Sequence, residues 1–148
     1  MKLWATFVII LLAALPVYGA GPDDILGYWT TEKGDVKLEF FRCGKKICGK
    51  IVGLDEPVYL DSKDGPVGET KTDRKNPDPA LRKRPILGLQ VMKGVAATGR
   101  STWGGGACYD PQSGKNYKCK MKLVSPDKLE MRGFIGMSLF GRNYVLVR

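Results

Sequence analysis

The chain has 148 residues, a length that suits one domain, and carries 24 Lys and Arg against 15 Asp and Glu, a formal net charge of +9. A hydrophobic content of 43% excludes a disordered composition, and 19 glycines with 9 prolines weigh against a helical bundle. The sequence has no histidine, which excludes Ser-His-Asp and Cys-His catalysis and any His-ligated metal.

Met1-Lys2 is a short positive segment, Leu3 to Leu15 is apolar except for Thr6, and Pro16 breaks any helix. Val17-Tyr18-Gly19 then places small residues at the −3 and −1 positions of a cleavage site. This layout predicts a signal peptide over residues 1–19, cut after Gly19. The apolar run is shorter than the ~20 residues that cross a bilayer, so a membrane anchor is the weaker reading. No cysteine closely follows the run, which argues against a lipoprotein anchor, and no other segment is apolar enough to span a membrane. Residues 20–148 are therefore expected as one periplasmic or secreted domain that loses only Lys2 from its charge balance, leaving about +8.

After Gly27 the chain reads as short strands between turns. Tyr28 to Thr31 is the first and is followed by Lys33-Gly34-Asp35. In Val36 to Phe40 the apolar residues alternate, as they do at Ile47, Gly49 and Ile51, with Gly44-Lys45-Lys46 as the hairpin turn between. Placing Phe40 opposite Ile51 sets Cys43 opposite Cys48, both on the face that carries Lys50, where a cross-strand bridge is sterically reasonable. Asp55 to Arg84 is Pro- and Asp-rich with few apolar residues. An irregular stretch of that length is either functional or a mobile surface excursion. Ile86 to Lys93 reads as a strand, Gly94 precedes the next, and Arg100 to Trp103 leads into Gly104-Gly105-Gly106. That triplet lacks the following Lys-Ser/Thr of a phosphate loop and is expected to form a bulge or strand corner.

Cys108 and Cys119 flank the turn signal Asp110-Pro111-Gln112-Ser113-Gly114-Lys115. An even number of cysteines in an exported chain predicts disulfides, here Cys43–Cys48 and Cys108–Cys119. Zinc is disfavoured because neither pair has knuckle spacing. From Tyr117 to Val124, Cys119, Met121 and Leu123 fall on one face and Lys118, Lys120 and Lys122 on the other. Ser125-Pro126-Asp127 turns the chain, Lys128 to Gly133 continues with Leu129 and Met131 inward, and Leu139 to Arg148 closes it. Eight or nine close-spaced strands predict an all-β fold, a small antiparallel up-and-down barrel.

Two resemblances sharpen that expectation. Gly27-Tyr28-Trp29, after a helical turn at Pro22 to Leu26, resembles the Gly-x-Trp that opens the first strand of lipocalins. The resemblance implies that Trp29 packs at the closed barrel end under an arginine of the last strand, Arg148, with Arg142 the other candidate. The second resemblance rests on Asn76-Pro77-Asp78-Pro79-Ala80-Leu81-Arg82-Lys83-Arg84-Pro85-Ile86-Leu87-Gly88-Leu89, on Cys43-Gly44 with Cys48-Gly49, on Tyr109-Asp110-Pro111 with Gly114-Lys115, and on Leu139 to Arg142. These segments resemble a family of small exported bacterial proteins catalogued as a domain of unknown function, which implies a lipocalin-like barrel and no assigned activity. Leu146 stands where members often have Trp, and Cys108 and Cys119 fall at positions not usually Cys, which suggests an added bridge.

Asp73, Asn76, Asp78, Arg82 and Arg84 form the densest polar cluster. Carboxylates with arginines can do acid–base work. They can equally tie the long loop to the barrel, and without a nucleophile–base arrangement the structural reading outweighs catalysis. Basic residues gather at Lys45-Lys46-Lys50, Arg74-Lys75, Arg82-Lys83-Arg84 and Lys115 to Lys122. In an exported protein they point to anionic envelope components rather than nucleic acid, with solvated strand faces as the bland alternative. The expected function is non-enzymatic binding of a small apolar or amphipathic ligand, without cofactor or metal, in a cavity lined by Phe40, Ile51, Leu89, Met121, Leu123 and Met131. The alternatives are an envelope hydrolase or lyase using residues 73–84, and a basic envelope-interaction protein with a filled core.

Overall fold

Alternation of apolar and polar side chains resolves into eight strands among the described residues: β1 Gly27–Thr31, β2 Val36–Cys43, β3 Lys46–Leu54, β4 Gln90–Gly99, β5 Thr102–Asp110, β6 Lys115–Ser125, β7 Lys128–Phe134 and β8 Gly141–Val147. The structure, a computed structural model, describes residues 19–135 and 141–148. The signal-peptide segment up to Tyr18 and the Leu139-Phe140 part of the last motif lie outside the described residues. Each strand pairs antiparallel with the next, and β8 returns to β1, closing an up-and-down barrel. Closure leaves no unpaired sheet edge. Among the described residues no helix is long and apolar enough to cross a membrane.

The β6 pattern shows why the sheet curls the way it does. Cys119, Met121 and Leu123 are buried while Lys118, Lys120 and Lys122 are exposed. The inward residues of the other strands meet them in one core that includes Trp29, Leu38, Phe40, Ile47, Ile51, Met92, Val95, Trp103, Leu129 and Leu146. Burial on this scale is the main force that closes the sheet.

Three local expectations are corrected. The strand expected from Ile86 starts at Gln90, because Ile86 to Leu89 makes a turn closed by Leu89 N–H donating to the Ile86 carbonyl at 3.0 Å. Gly94 does not separate two strands but lies within β4. In the first hairpin Leu38, not Phe40, lies opposite Ile51, and Phe40 lies opposite Gly49. Gly44 has φ of +66°, so the chain reverses over Gly44-Lys45 alone, a tighter turn than the three-residue one expected. Gly104 to Gly106 forms a bulge inside β5, with a register shift there and φ of +77° at Gly105.

Both expected disulfides are present. With the corrected register, Cys43 and Cys48 are diagonal neighbours rather than directly opposite, and their Cα atoms are 5.8 Å apart. Cys108 and Cys119 are also diagonal, at 5.9 Å. The first bridge sits on the outer face, beside Phe41 and Lys50. The second lies in the barrel interior, where Cys119 is buried. Chain-entropy arithmetic for these short loops gives about 2 kcal/mol for the first and about 3 kcal/mol for the second.

The two barrel ends differ. At one end residues 20–26 fold under the barrel in a turn held by Leu26 N–H to the Asp23 carbonyl at 2.9 Å. Ile25 is fully buried there, and Trp29 Nε1 donates to its carbonyl at 2.8 Å. Trp103 Nε1 donates to the Pro22 carbonyl at 3.0 Å. Arg148 lies 4.3 Å from the Trp29 ring centroid and donates to the carbonyls of Asp24, Pro126 and Leu26. This end is plugged. Arg142, the other arginine considered for that place, opens β8 at the opposite end.

Candidate functional site: the strapped barrel mouth

The open end carries the β1–β2, β3–β4 and β5–β6 connections. The longest, residues 55–89, has no strand or helix periodicity, yet side chains give it a fixed shape. Val58 bridges Thr70, and Thr72 bridges Pro85. The Tyr59 hydroxyl accepts from Thr72 N–H at 2.9 Å and donates to the Thr72 carbonyl at 3.1 Å. Arg74 stacks over the Tyr59 ring at 5.6 Å and donates to the Asp64 carbonyl at 2.8 Å. Pro79–Leu81 is one 3₁₀ turn capped by Asp78, whose Oδ1 accepts from Ala80 N–H at 2.9 Å. Arg82 Nε donates to the Asn76 carbonyl at 2.8 Å.

Asp73 anchors this strap to the barrel wall. It is fully buried. Its Oδ1 accepts from the Tyr109 hydroxyl of β5 at 2.5 Å. Its Oδ2 accepts from Asn76 Nδ2 at 2.7 Å and from Arg84 at 2.9 Å through Nε and 2.8 Å through a terminal nitrogen. Arg84 also covers the Tyr109 ring at 5.8 Å, and Asn76 Nδ2 reaches the Tyr109 hydroxyl at 3.1 Å. A fully buried carboxylate with donors on both oxygens is shut away from a substrate; it holds two chain segments together. Of the polar residues singled out in the sequence, Asp73, Asn76, Arg82 and Arg84 form this node directly, and Asp78 caps the adjacent turn. The partner that sequence reasoning missed as a site residue is Tyr109, although the Tyr-Asp-Pro motif marked its position.

Burial, then the hydrogen bond to Asp73 and its negative charge, push the Tyr109 phenol up from 10.0 to about 12. An unfolded chain releases this proton first, so the node's stabilisation is complete below pH 10.0 and is lost as pH rises toward about 12. Absorbance titration is expected to show one tyrosine with a midpoint near 12, absent in Tyr109→Phe and shifted down in Asp73→Asn. Identical late titration in all three proteins contradicts the node.

Beneath the strap lies an open cavity of about 740 Å³. Val36, Ile51, Leu54, Tyr59 and Ile86 supply its apolar surface; Lys71, Arg74, Lys75 and Arg142 bring positive charge, and Asp35, Asp55, Glu56 and Asp64 negative charge. Part of that charge is internally matched, Lys71 with Glu56 at 3.5 Å and Arg142 with Asp110 at 3.6 Å. Of the six residues expected around a ligand, Ile51 lines this mouth. Phe40, Leu89 and Leu123 are packed in the core. Met121 belongs to the core and Met131 packs against it, and both border a second recess described below. Among the described residues no group of three or more His, Cys, Asp or Glu is placed to hold a metal ion.

The model of a bacterial family described as "Uncharacterized protein conserved in bacteria (DUF2147)" matches residues 27–148. The chain belongs to that family. A similar solved structure is protein HP1028 from the human pathogen Helicobacter pylori, described as belonging to the lipocalin family. It is 22% identical to this chain with a TM-score of 0.68, covering 84% of this chain and 82% of that one. Identity at this level shows the fold, a lipocalin-like barrel, and nothing about a shared ligand. No curated protein matches the chain at a significant level. The strap and its Asp73 node fall within the matched residues and are thus a feature of this family member.

Proposed function

We propose that this family member is an exported, non-enzymatic binding protein that takes a small amphipathic anion in the mouth of its barrel. The observation that carries the reading is the cavity of about 740 Å³, where an apolar wall of Ile51, Leu54 and Ile86 meets Arg142, Arg74 and Lys75 among basic and acidic side chains in equal number. Its volume falls within the roughly 300–1,000 Å³ of small-molecule sites, and an apolar wall beside charged groups suits an amphipathic ligand. Packed side chains fill the barrel toward the plugged end, so the ligand's apolar part rests on Ile51, Leu54 and Ile86 rather than deep in the barrel. Its anionic end faces Arg142, Arg74 and Lys75. Two disulfides and the signal-peptide layout of the sequence support an oxidising, extracytoplasmic location. The buried Asp73 carboxylate, held by donors of the strap and the wall, argues against a hydrolase or lyase centred on the strap.

The fluorescent amphipathic anion anilinonaphthalene sulfonate is the first probe. Wild-type protein is expected to bind it at one site. Arg142→Ala should weaken binding about tenfold, the worth of one charge-assisted contact, and Leu54→Trp should block it by filling the cavity. Equal binding by all three proteins refutes the mouth as the site.

A further inference from the structure

A second recess lies on the outer wall, away from the mouth. Cross-strand register fixes its position. Gly104 lies opposite Lys120, Lys120 opposite Arg132, and Arg132 opposite Asn143. In the next row Thr102 lies opposite Lys122, Lys122 opposite Glu130, and Glu130 opposite Val145. Paired residues share a face, and these lysines alternate with the buried Cys119, Met121 and Leu123, so both rows face outward. The recess measures about 1330 Å³. It exists because β5 carries no side chain at Gly104 or Gly105, leaving a trough beside the lysine row of β6. The bulge holds that backbone in place: a Cβ on Gly106 would stand 2.5 Å from Val95 Cγ2, so only glycine fits there.

The chemistry of the trough is one-sided. Lys93, Lys118, Lys120, Lys122 and Arg132 line it, against the single acid Glu130. Alternate residues on a strand are ~7 Å apart, so Lys118, Lys120 and Lys122 set charges in line over ~14 Å. Trp103 is buried and pairs with inward Met121, so its ring offers the trough no stacking platform for nucleobases. Ala107 and Val145 are its outward apolar side chains, beside the aliphatic stems of the lysines. Thr98, Thr102 and Asn143 add hydroxyl and amide groups.

From this we infer that the outer wall binds a linear anionic saccharide polymer, its carboxylate, sulfate or phosphate groups on the lysine row and its hydroxyls against Thr98, Thr102 and Asn143. Lysine ammoniums, as flexible hydrated point charges, suit a repeating polyanion better than one fixed bidentate group.

Retention on immobilised heparin tests this, with alginate as a carboxylate-only competitor, and phosphatidylglycerol vesicles and oligothymidylate as the rival arms. Wild-type protein is expected to be retained, to elute with salt and to be displaced by alginate. The triple variant K118Q/K120Q/K122Q should lose at least tenfold in affinity, while K33Q/K45Q/K63Q, with the same charge change on exposed residues elsewhere, should not. Matching circular dichroism and melting curves establish that both variants are folded. Heparin should also protect Lys118, Lys120 and Lys122 of the wild-type protein from acetylation, read by peptide mass spectrometry. Equal loss in both triple variants, absence of protection, or tighter binding to vesicles or oligothymidylate than to heparin overturns the inference.

Discussion

Replacing Asp73 with asparagine is expected to destabilise the protein by about 3 kcal/mol and to release the strap from the barrel mouth. The carboxylate is fully buried and receives Tyr109, Asn76 and both sides of the Arg84 guanidinium. Asparagine keeps the shape, removes the charge, and puts an NH₂ where an acceptor is needed. Arg84 would then be left without its counter-ion. Its side chain is 37% exposed, so water offsets part of that loss, which places the effect at the low end for a broken buried pair. A fall of roughly 10 °C in melting midpoint follows for a domain of this size. Because the node joins two segments, the effect should also be local. Trypsin is expected to cut after Arg74 and Lys75 in the variant under conditions that leave the wild-type strap intact. Unchanged melting and cleavage would show that the strap is held elsewhere.

Trp29→Ala should be at least as damaging, about 3–5 kcal/mol. The indole is fully buried, ties the turn at Ile25 to β1 through Nε1, and supplies the face under Arg148. Its removal empties the plugged end and leaves the Ile25 carbonyl without its donor. Arg148→Ala should cost less, about 1–2 kcal/mol, since the guanidinium stands at the surface and its carbonyl partners can turn to water. Urea unfolding checks both. An Arg148→Ala loss equal to that of Trp29→Ala would mean that the guanidinium, not the indole, closes the barrel.

What the sequence made legible follows from period. In β6 and β7 every second residue is apolar, so strand, face and barrel could all be read from it. The cysteine pairs could be read too, because each flanks its own turn. The hairpin register could not: Gly44 permits turns of different length, and a two-residue difference leaves the same residues inward. The strap was opaque for another reason. Its shape comes from Tyr59 folding back on Thr72 and from Asp73 meeting Tyr109, contacts between residues distant in sequence that no local pattern encodes. Alternation likewise tells that Phe40 and Leu123 point inward, but whether the interior around them is open or filled depends on how all eight strands pack at once. The outer trough emerges only when β5 to β8 are set in register, since Lys118 to Lys122 alone reads as a solvated strand face.

The claim on which the functional account rests is that the mouth holds a small amphipathic anion. Native mass spectrometry of the full-chain protein, expressed in a bacterial host and recovered under non-denaturing conditions, tests it most directly. The account predicts a wild-type population carrying one copy of a small anionic species, absent from Leu54→Trp and diminished in Arg142→Ala. Wild-type protein recovered consistently empty, or a species retained equally by both variants, would contradict it.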